Sequence, residues 1–97
     1  MIDITDEVQH FVKEENINEG FLIVYVPHTT AGITINEGAD PDVQQDIIET
    51  LEKLIPENRS YHHSEGNSDA HIKASLLGSS VTVLIMNGAL VLGTWQH

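Results

Sequence analysis

The spacing of the apolar residues changes along the chain, and each spacing predicts a different kind of element. Val8, Phe11 and Val12 recur at the three- and four-residue intervals of one buried helix face. Thr5 can cap this first helix, which should end near Asn16.

Two further helices are predicted from their start signals. Asp40 and Pro41 place a capping residue before a proline at the first helical position, and an apolar stripe then runs to about residue 55. Ser68 can cap a shorter helix over residues 69–77.

The shorter helix has its own stop signal and its own apolar pair. Gly78 suits the C′ position that ends a helix. Ile72 and Leu76 lie four residues apart and should point inward.

Three apolar segments predict strands. Residues 21–27 are apolar throughout, which is typical of a strand covered on both faces. Residues 79–85 and 89–95 lie on either side of Asn87-Gly88, a pair that favours the tight turn of an antiparallel hairpin. Together with the helices, these strands predict a single α+β domain with a mixed or antiparallel sheet packed against helices.

A fourth segment, residues 28–38, alternates between two kinds of side chain. If it is extended, one face is core and the other is a row of polar groups. The core face is Thr29, Ala31, Ile33 and Ile35. The polar face is His28, Thr30, Gly32, Thr34 and Asn36. The polar row is either a solvated sheet face or the floor of a ligand site, because threonine is common on exposed strands.

The composition excludes several classes of partner. Four cations oppose 15 carboxylates, and the net charge of −11 argues against a nucleic-acid or anionic-membrane surface. The chain has no cysteine, no apolar run of transmembrane length and no signal-peptide pattern at its start. We therefore expect a cytoplasmic protein without thiolate ligands.

Candidate chemistry is concentrated in residues 61–71, which hold three of the six histidines, Glu65 and Asp69. Imidazoles and carboxylates can hold a divalent metal or transfer protons, and a polar loop without function remains open. The predicted helix start at Ser68, with Lys73 nearby, is also a seat for a phosphate group. Trp95 is either core or a surface that stacks on a flat ring.

Four motifs in order resemble the YjbQ-like family, whose members are described as having secondary thiamine-phosphate synthase activity. They are HTTAGITINEG, DPDVQQD, HSEGNSDAHIKASLLGSS and the NG-x-L-x-LGTWQ ending. The match covers residues 3–96. The resemblance implies a β-sandwich-like α+β domain that assembles as a homotrimer.

The resemblance also implies a polar, histidine-rich site. Its catalytic residues would be His28, His63, His71 and Asp69. Its substrate-binding residues would be Thr30, Asn36, Glu37, Asn67, Ser68, Trp95 and Gln96. The three histidines could also hold a divalent metal, Mg²⁺ or Zn²⁺. His62 lies at a position that varies in the family.

The activity implied is the joining of a hydroxymethylpyrimidine diphosphate to a thiazole phosphate, with release of pyrophosphate. Another metal-dependent enzyme, such as a hydrolase or phosphatase, and a non-catalytic protein that binds a small phosphorylated ligand or a metal are the alternatives. The resemblance predicts that residues 1–97 form a single domain without the first and last strands expected for the family. Leu84 and Ala89 also depart from the family pattern, which has a proline and a basic residue there.

Overall fold

Three helices and three strands follow one another in the computed structural model, which describes residues 1–97. Their bounds are α1 Thr5–Glu14, β1 Gly20–Tyr25, α2 Pro41–Leu54, α3 Ser68–Leu77, β2 Ser80–Met86 and β3 Ala89–Leu90. The strands form one antiparallel sheet in the order β1-β2-β3, which confirms the α+β class. None of the helices is long and apolar enough to cross a membrane.

The sheet is built on the pairing of β1 with β2 and on the predicted hairpin. Phe21 lies opposite Leu84, and Tyr25 lies opposite Ser80. Asn87 and Gly88 both have positive φ angles, 52° and 73°, as a type I′ turn requires. The turn residues therefore connect β2 to β3 as predicted.

Only one face of this sheet is covered. Val83 and Ile85 are buried on the inner face. On the outer face, Phe21, Ile23 and Tyr25 are 65%, 62% and 64% exposed. The prediction that this strand is covered on both faces is therefore wrong within a single chain, because no helix lies on the outer face.

Helix α1 packs against β3, and its Val12 is fully buried. Phe11 is 51% exposed, so its predicted place in the core is wrong. Thr5 is not the cap either: its backbone N–H and its hydroxyl both donate to Asp3 Oδ1, at 2.9 and 2.6 Å. Asp3 therefore satisfies the first turn of α1 in place of Thr5.

The side chain of Gln9 links α1 to the β2–β3 hairpin. Its Nε2 donates to the Gly88 carbonyl at 2.9 Å, and its Oε1 accepts from the Leu90 N–H at 3.0 Å. These two bonds satisfy backbone groups on both sides of the β2–β3 turn. These hydrogen bonds are partly buried. If the Gln9 side chain were removed, water would therefore only partly satisfy the two backbone groups.

The starts of α2 and α3 follow their predicted signals to different extents. Asp40 caps α2 by accepting the Asp42 N–H at 2.9 Å, as predicted. Asn67, not Ser68, precedes α3, and its side chain makes no capping bond. Ile72 and Leu76 are exposed, so their predicted burial is wrong. Leu77, at the end of the helix, instead faces the interior groove.

Residues 28–38 do not form the predicted strand. Their backbone makes single bonds to separate partners, from Ile33 N–H to the Gly78 carbonyl and from Gly38 N–H to the Trp95 carbonyl. An added Cβ on Gly32 would lie 2.9 Å from Leu77 Cβ, so glycine permits this close approach to α3. Because these residues do not pair as a continuous strand, the predicted alternation between a core face and a polar face is wrong. Residues 31–34 instead all line one groove.

The last strand is also shorter than predicted. β3 ends at Leu90, and one further bond joins the Val91 N–H to the Leu84 carbonyl. The chain then turns, because Gln96 N–H donates to the Gly93 carbonyl and Gln96 Oε1 accepts from the Gly93 N–H. Glu37 and Gln96 form an isolated bridge at this point.

Beneath the inner face of the sheet lies an open groove of about 390 Å³, which is lined mainly by apolar side chains. The sheet, α2 and residues 31–38 form its walls. Met1 and His97, at opposite ends of the chain, both line it. The buried core is consequently small and consists of Val12, Ile55, Val83 and Ile85.

We expect Gln9→Ala to lower the free energy of unfolding by about 1–2 kcal/mol, because two partly buried backbone groups lose their partner. Urea unfolding followed by circular dichroism measures the change. Gln45→Ala is the matched control, since Gln45 bonds only to exposed Glu49. Equal effects of the two substitutions would contradict the proposed role of Gln9.

Asp3 should make stability depend on pH in the acid range. Hydrogen bonds from the Thr5 hydroxyl, the Thr5 N–H and His97 lower the pKa of Asp3 from 3.8 to about 2. Because the folded pKa lies below the unfolded one, this contribution is complete above about pH 5 and is lost as the pH falls toward 2. The difference in urea midpoint between the wild type and Asp3→Asn should therefore shrink over that range. Asp6→Asn, which removes an exposed carboxylate without a side-chain hydrogen bond, should show a much smaller trend.

Candidate functional site

His63 and His71 form an edge-to-face pair. Their ring centroids are 5.7 Å apart and their planes meet at 88°. His63 lies in the loop before α3, and His71 lies in the first turns of that helix. His62 is exposed and makes no corresponding contact, as expected for a position that varies in the family.

The start of α3 positions this pair. The carbonyl of Asn67 accepts from the N–H groups of Ala70 and His71, at 3.1 and 3.4 Å. Gly66 has a φ of 78°, which allows the loop to turn immediately before the helix. Asn67 Oδ1 is buried at this turn without a hydrogen-bond partner. Buried oxygens of this kind are usually satisfied by an ordered water or a bound group.

Asp69 is paired with a lysine and not with a histidine. Lys73 Nζ lies 3.0 Å from Asp69 Oδ2, and the two side chains are only 23% and 14% exposed. The hydrogen bond from Lys73 lowers the pKa of Asp69, so the carboxylate stays ionised at neutral pH. Lys73 was expected only as a cation near the start of α3, although its four-residue spacing from Asp69 is the signal for such a pair.

Glu65 is a weak partner for His63. Its Oε2 lies 3.6 Å from His63 Nε2, which is too long for a hydrogen bond, and the carboxylate is well exposed. The pair therefore attracts only when His63 is protonated. Neither imidazole is hydrogen-bonded to a carboxylate, so any proton exchange with a ligand would take place without a carboxylate to orient the ring.

A second group of predicted residues lies where the chain end meets residues 36–38. Asn36 Oδ1 accepts from the Glu37 N–H, and Asn36 and His97 exchange backbone bonds. Glu37 Oε2 is buried without a partner. Trp95 is 64% exposed, which excludes the core alternative and leaves its ring free to stack. Glu37 and Trp95 line the same shallow depression beside the start of α2.

No hydrogen bond or ion pair joins the second group to the His63–His71 pair. His28 and Thr30 are exposed on the segment after β1, and their side chains have no partner. Ser68 also makes no side-chain bond. No group of three or more His, Cys, Asp or Glu side chains is close enough to hold a metal ion. A metal on His28, His63 and His71 therefore remains a prediction without an assembled site in one chain.

Comparison with known sequences identifies the relatives of this chain. A family model described as UPF0047 protein YjbQ-like matches residues 1–97. The UPF0047 protein MJ1081 of Methanocaldococcus jannaschii is 54% identical over 96 residues, which cover 99% of this chain and 70% of that protein. The UPF0047 protein YugU of Bacillus subtilis is 52% identical over 97 residues, which cover 99% of this chain and 74% of that protein.

Solved structures show the same fold. An uncharacterised YjbQ/UPF0047-family protein from Clostridium acetobutylicum superimposes with a TM-score of 0.94 at 58% identity, covering 98% of this chain and 74% of that one. The conserved hypothetical protein TT1486 from Thermus thermophilus gives a TM-score of 0.90 at 42% identity, with 98% and 74% coverage. The motifs, the fold and these relatives agree, and the chain belongs to the YjbQ-like UPF0047 family.

Proposed function

We propose that the chain binds a small phosphorylated ligand beside the His63–His71 pair and uses the two imidazoles to donate hydrogen bonds and transfer protons to its leaving group. The observation that carries this proposal is the edge-to-face contact of the two rings, which come from the loop and the helix on either side of Asn67. Imidazoles suit the transfer because their ordinary pKa lies near neutrality.

The phosphate group would bind at the start of α3. The first N–H groups of a helix and the positive end of its dipole favour an anion, and Lys73 adds a cation. Asp69 compensates part of that charge, so protonated His63 or His71 would supply the rest. The net charge of −11 repels a phosphorylated ligand, and the positive charges at the start of α3 would counteract this repulsion locally.

The reaction that the family resemblance favours is thiamine-phosphate formation. In that reaction the bond between the pyrimidine methylene carbon and the diphosphate oxygen breaks, and a bond from the same carbon to the thiazole nitrogen forms. Pyrophosphate leaves with the electron pair. A protonated imidazole of His63 or His71 would stabilise the departing oxygens by donating a hydrogen bond.

The remaining predicted residues would hold the rest of the ligand. Trp95 offers an exposed ring for stacking on the pyrimidine, and Glu37 lines the same depression. His28, Thr30, Asn36 and Gln96 are proposed as further contacts. A divalent ion, Mg²⁺ or Zn²⁺, has no assembled site in one chain, so no step is assigned to it.

We expect purified protein supplied with both precursors to form thiamine phosphate, and His63→Ala and His71→Ala each to lower the rate by at least about 100-fold. Chromatographic detection of thiamine phosphate measures the rate, with and without Mg²⁺ and with a chelator. His62→Ala is the matched control, because it removes an adjacent exposed imidazole that makes no contact with the pair.

Other outcomes of this assay separate the alternatives. Release of phosphate from one precursor alone would identify a hydrolase or phosphatase at the same site. Calorimetric binding without turnover would identify a non-catalytic binding protein. Full activity in both histidine variants would exclude the proposed site, and loss of activity only on chelation would assign the chemistry to a metal.

Self-association as a homotrimer is the second part of the proposal. The outer face of the sheet carries a continuous exposed apolar surface on β1 and β2, and a second copy of the chain presents the same apolar chemistry. This outer surface consists of Phe21, Ile23, Tyr25, Leu84 and Met86. Covering it with other copies would remove its apolar side chains from water.

Light scattering should give the mass of a trimer for the wild type and a smaller mass for Ile23→Lys, because the lysine charge would be buried in the interface. Glu7→Lys, an exposed substitution on α1, serves as the control and should leave the mass unchanged. A monomeric wild type would contradict the proposal.

A further inference from the structure

Lys73 is the only lysine or arginine of the chain whose side chain is shielded from solvent. The chain has four such residues, and the other three, Lys13, Lys53 and Arg59, are exposed. The Lys73 side chain is 23% exposed and forms the one ion pair that involves a lysine or arginine, with Asp69. Because an ammonium group loses hydration when it is shielded, such a lysine needs an anionic partner. Asp69 is that partner.

A comparison of α2 with α3 shows that this pairing is specific to α3. Each of these helices has an aspartate as its second residue, Asp42 in α2 and Asp69 in α3. Asp42 is exposed, and the residue four positions after it is Asp46, which repels it. The residue four positions after Asp69 is Lys73, and both of these side chains are shielded. Of the two helix starts, only that of α3 therefore holds a cation for an incoming anion.

The Asp69 carboxylate occupies the position that the phosphate of a ligand would take. Its Oδ2 accepts a hydrogen bond from Lys73 Nζ at 3.0 Å. Hydrogen bonds from Lys73 and from the Ala70 N–H lower the pKa of Asp69. An ammonium group and an N–H at a helix start are the groups that commonly bind phosphate. An anionic ligand must therefore displace the carboxylate or lie beside it, where the two negative charges repel.

The charge of the ligand decides this competition. The attraction between Lys73 and an anion grows in proportion to the charge of the anion. A single phosphate ester group carries a charge of about −1.5 to −2 at neutral pH, which only modestly exceeds that of a carboxylate. Two linked phosphates carry a larger charge and displace the carboxylate more readily. Repulsion by distant carboxylates is weaker, because physiological salt screens charges beyond about 8 Å.

We infer that Asp69 is an internal competitor for the anion that binds Lys73, and that it makes the site selective for ligands with linked phosphates over single phosphates and carboxylates. This inference rests on the proposed binding of a phosphorylated ligand at the start of α3. It gives Asp69 a role in ligand selection instead of proton transfer. The hydrogen bonds of its side chain agree with that role, because Asp69 bonds to Lys73 and to neither His63 nor His71.

The test is a titration of the purified chain with pyrophosphate, inorganic phosphate and acetate in metal-free buffer, followed by calorimetry and by the amide NMR signals of α3. We expect the wild type to bind pyrophosphate at least about tenfold more tightly than phosphate, and acetate not measurably. Asp69→Asn should bind phosphate at least about tenfold more tightly than the wild type, because Lys73 is then free, and should discriminate less between the two phosphates. Lys73→Met should lose the binding of both.

Asp42→Asn is the matched control for the charge of the chain. It removes a carboxylate from the same position of α2 and changes the net charge by the same amount. Because it lies beside no lysine, it should change neither phosphate affinity by more than about twofold. Asp69→Ser provides a second neutral variant if Asp69→Asn loses its helical circular dichroism, since serine is also favoured at helix starts.

Three other results overturn the inference. Weaker phosphate binding by Asp69→Asn would make Asp69 a residue that positions Lys73, and the proposed phosphate site would stand. Equal gains in Asp69→Asn and Asp42→Asn would show an effect of net charge alone. If neither the wild type nor Asp69→Asn binds a phosphate, the start of α3 is not an anion site.

The same titrations separate this inference from the proposed reaction. Tighter phosphate binding by Asp69→Asn supports the inference even if the wild type forms no thiamine phosphate. In that case only the reaction is contradicted, because the titrations require no proton transfer by His63 or His71.

Discussion

The antiparallel pairing of β1 with β2 is the interaction on which the other parts of the molecule depend. Its register places Val83 and Ile85 on the inner face, where they form half of the buried core. At the other end of the ladder the Val26 N–H donates to the Ser79 carbonyl at 2.8 Å. That bond holds the residues immediately after α3 against the sheet. The pairing therefore fixes the helix that carries His71, as well as the core.

Local signals predicted the fold where neighbouring residues decide the conformation. Asp40 and Pro41 begin α2, and Asn87-Gly88 turns the hairpin, because capping and positive φ angles depend on a few adjacent residues. Burial was predicted less well. Phe11 and Leu76 are exposed because the face that a helix buries depends on which distant element packs against it. Residues 28–38 likewise lack a continuous strand partner, which their alternating pattern cannot reveal.

In the candidate site, too, the contacts between neighbouring residues could be predicted and the contacts between distant residues could not. The His63–His71 contact lies within one short stretch, so a local motif was sufficient to place both residues together. His28 is 35 residues away from His63 in the sequence. Its expected place beside His63 and His71 depended on a strand over residues 28–38 that does not form. The Asp69–Lys73 pair was detectable from helical spacing. The unpartnered oxygen of Asn67 could not be predicted, because it results from the way the loop buries that side chain.

The contacts of Gln9 have a consequence for the order in which the protein folds. Its partners, Gly88 and Leu90, lie 79 and 81 residues further along the chain. During synthesis α1 is therefore made well before the backbone groups that hold it. Closing so long a loop is entropically costly and is repaid only when the hairpin exists. We therefore expect α1 to reach its final position only after the hairpin has formed, with its apolar face exposed until then.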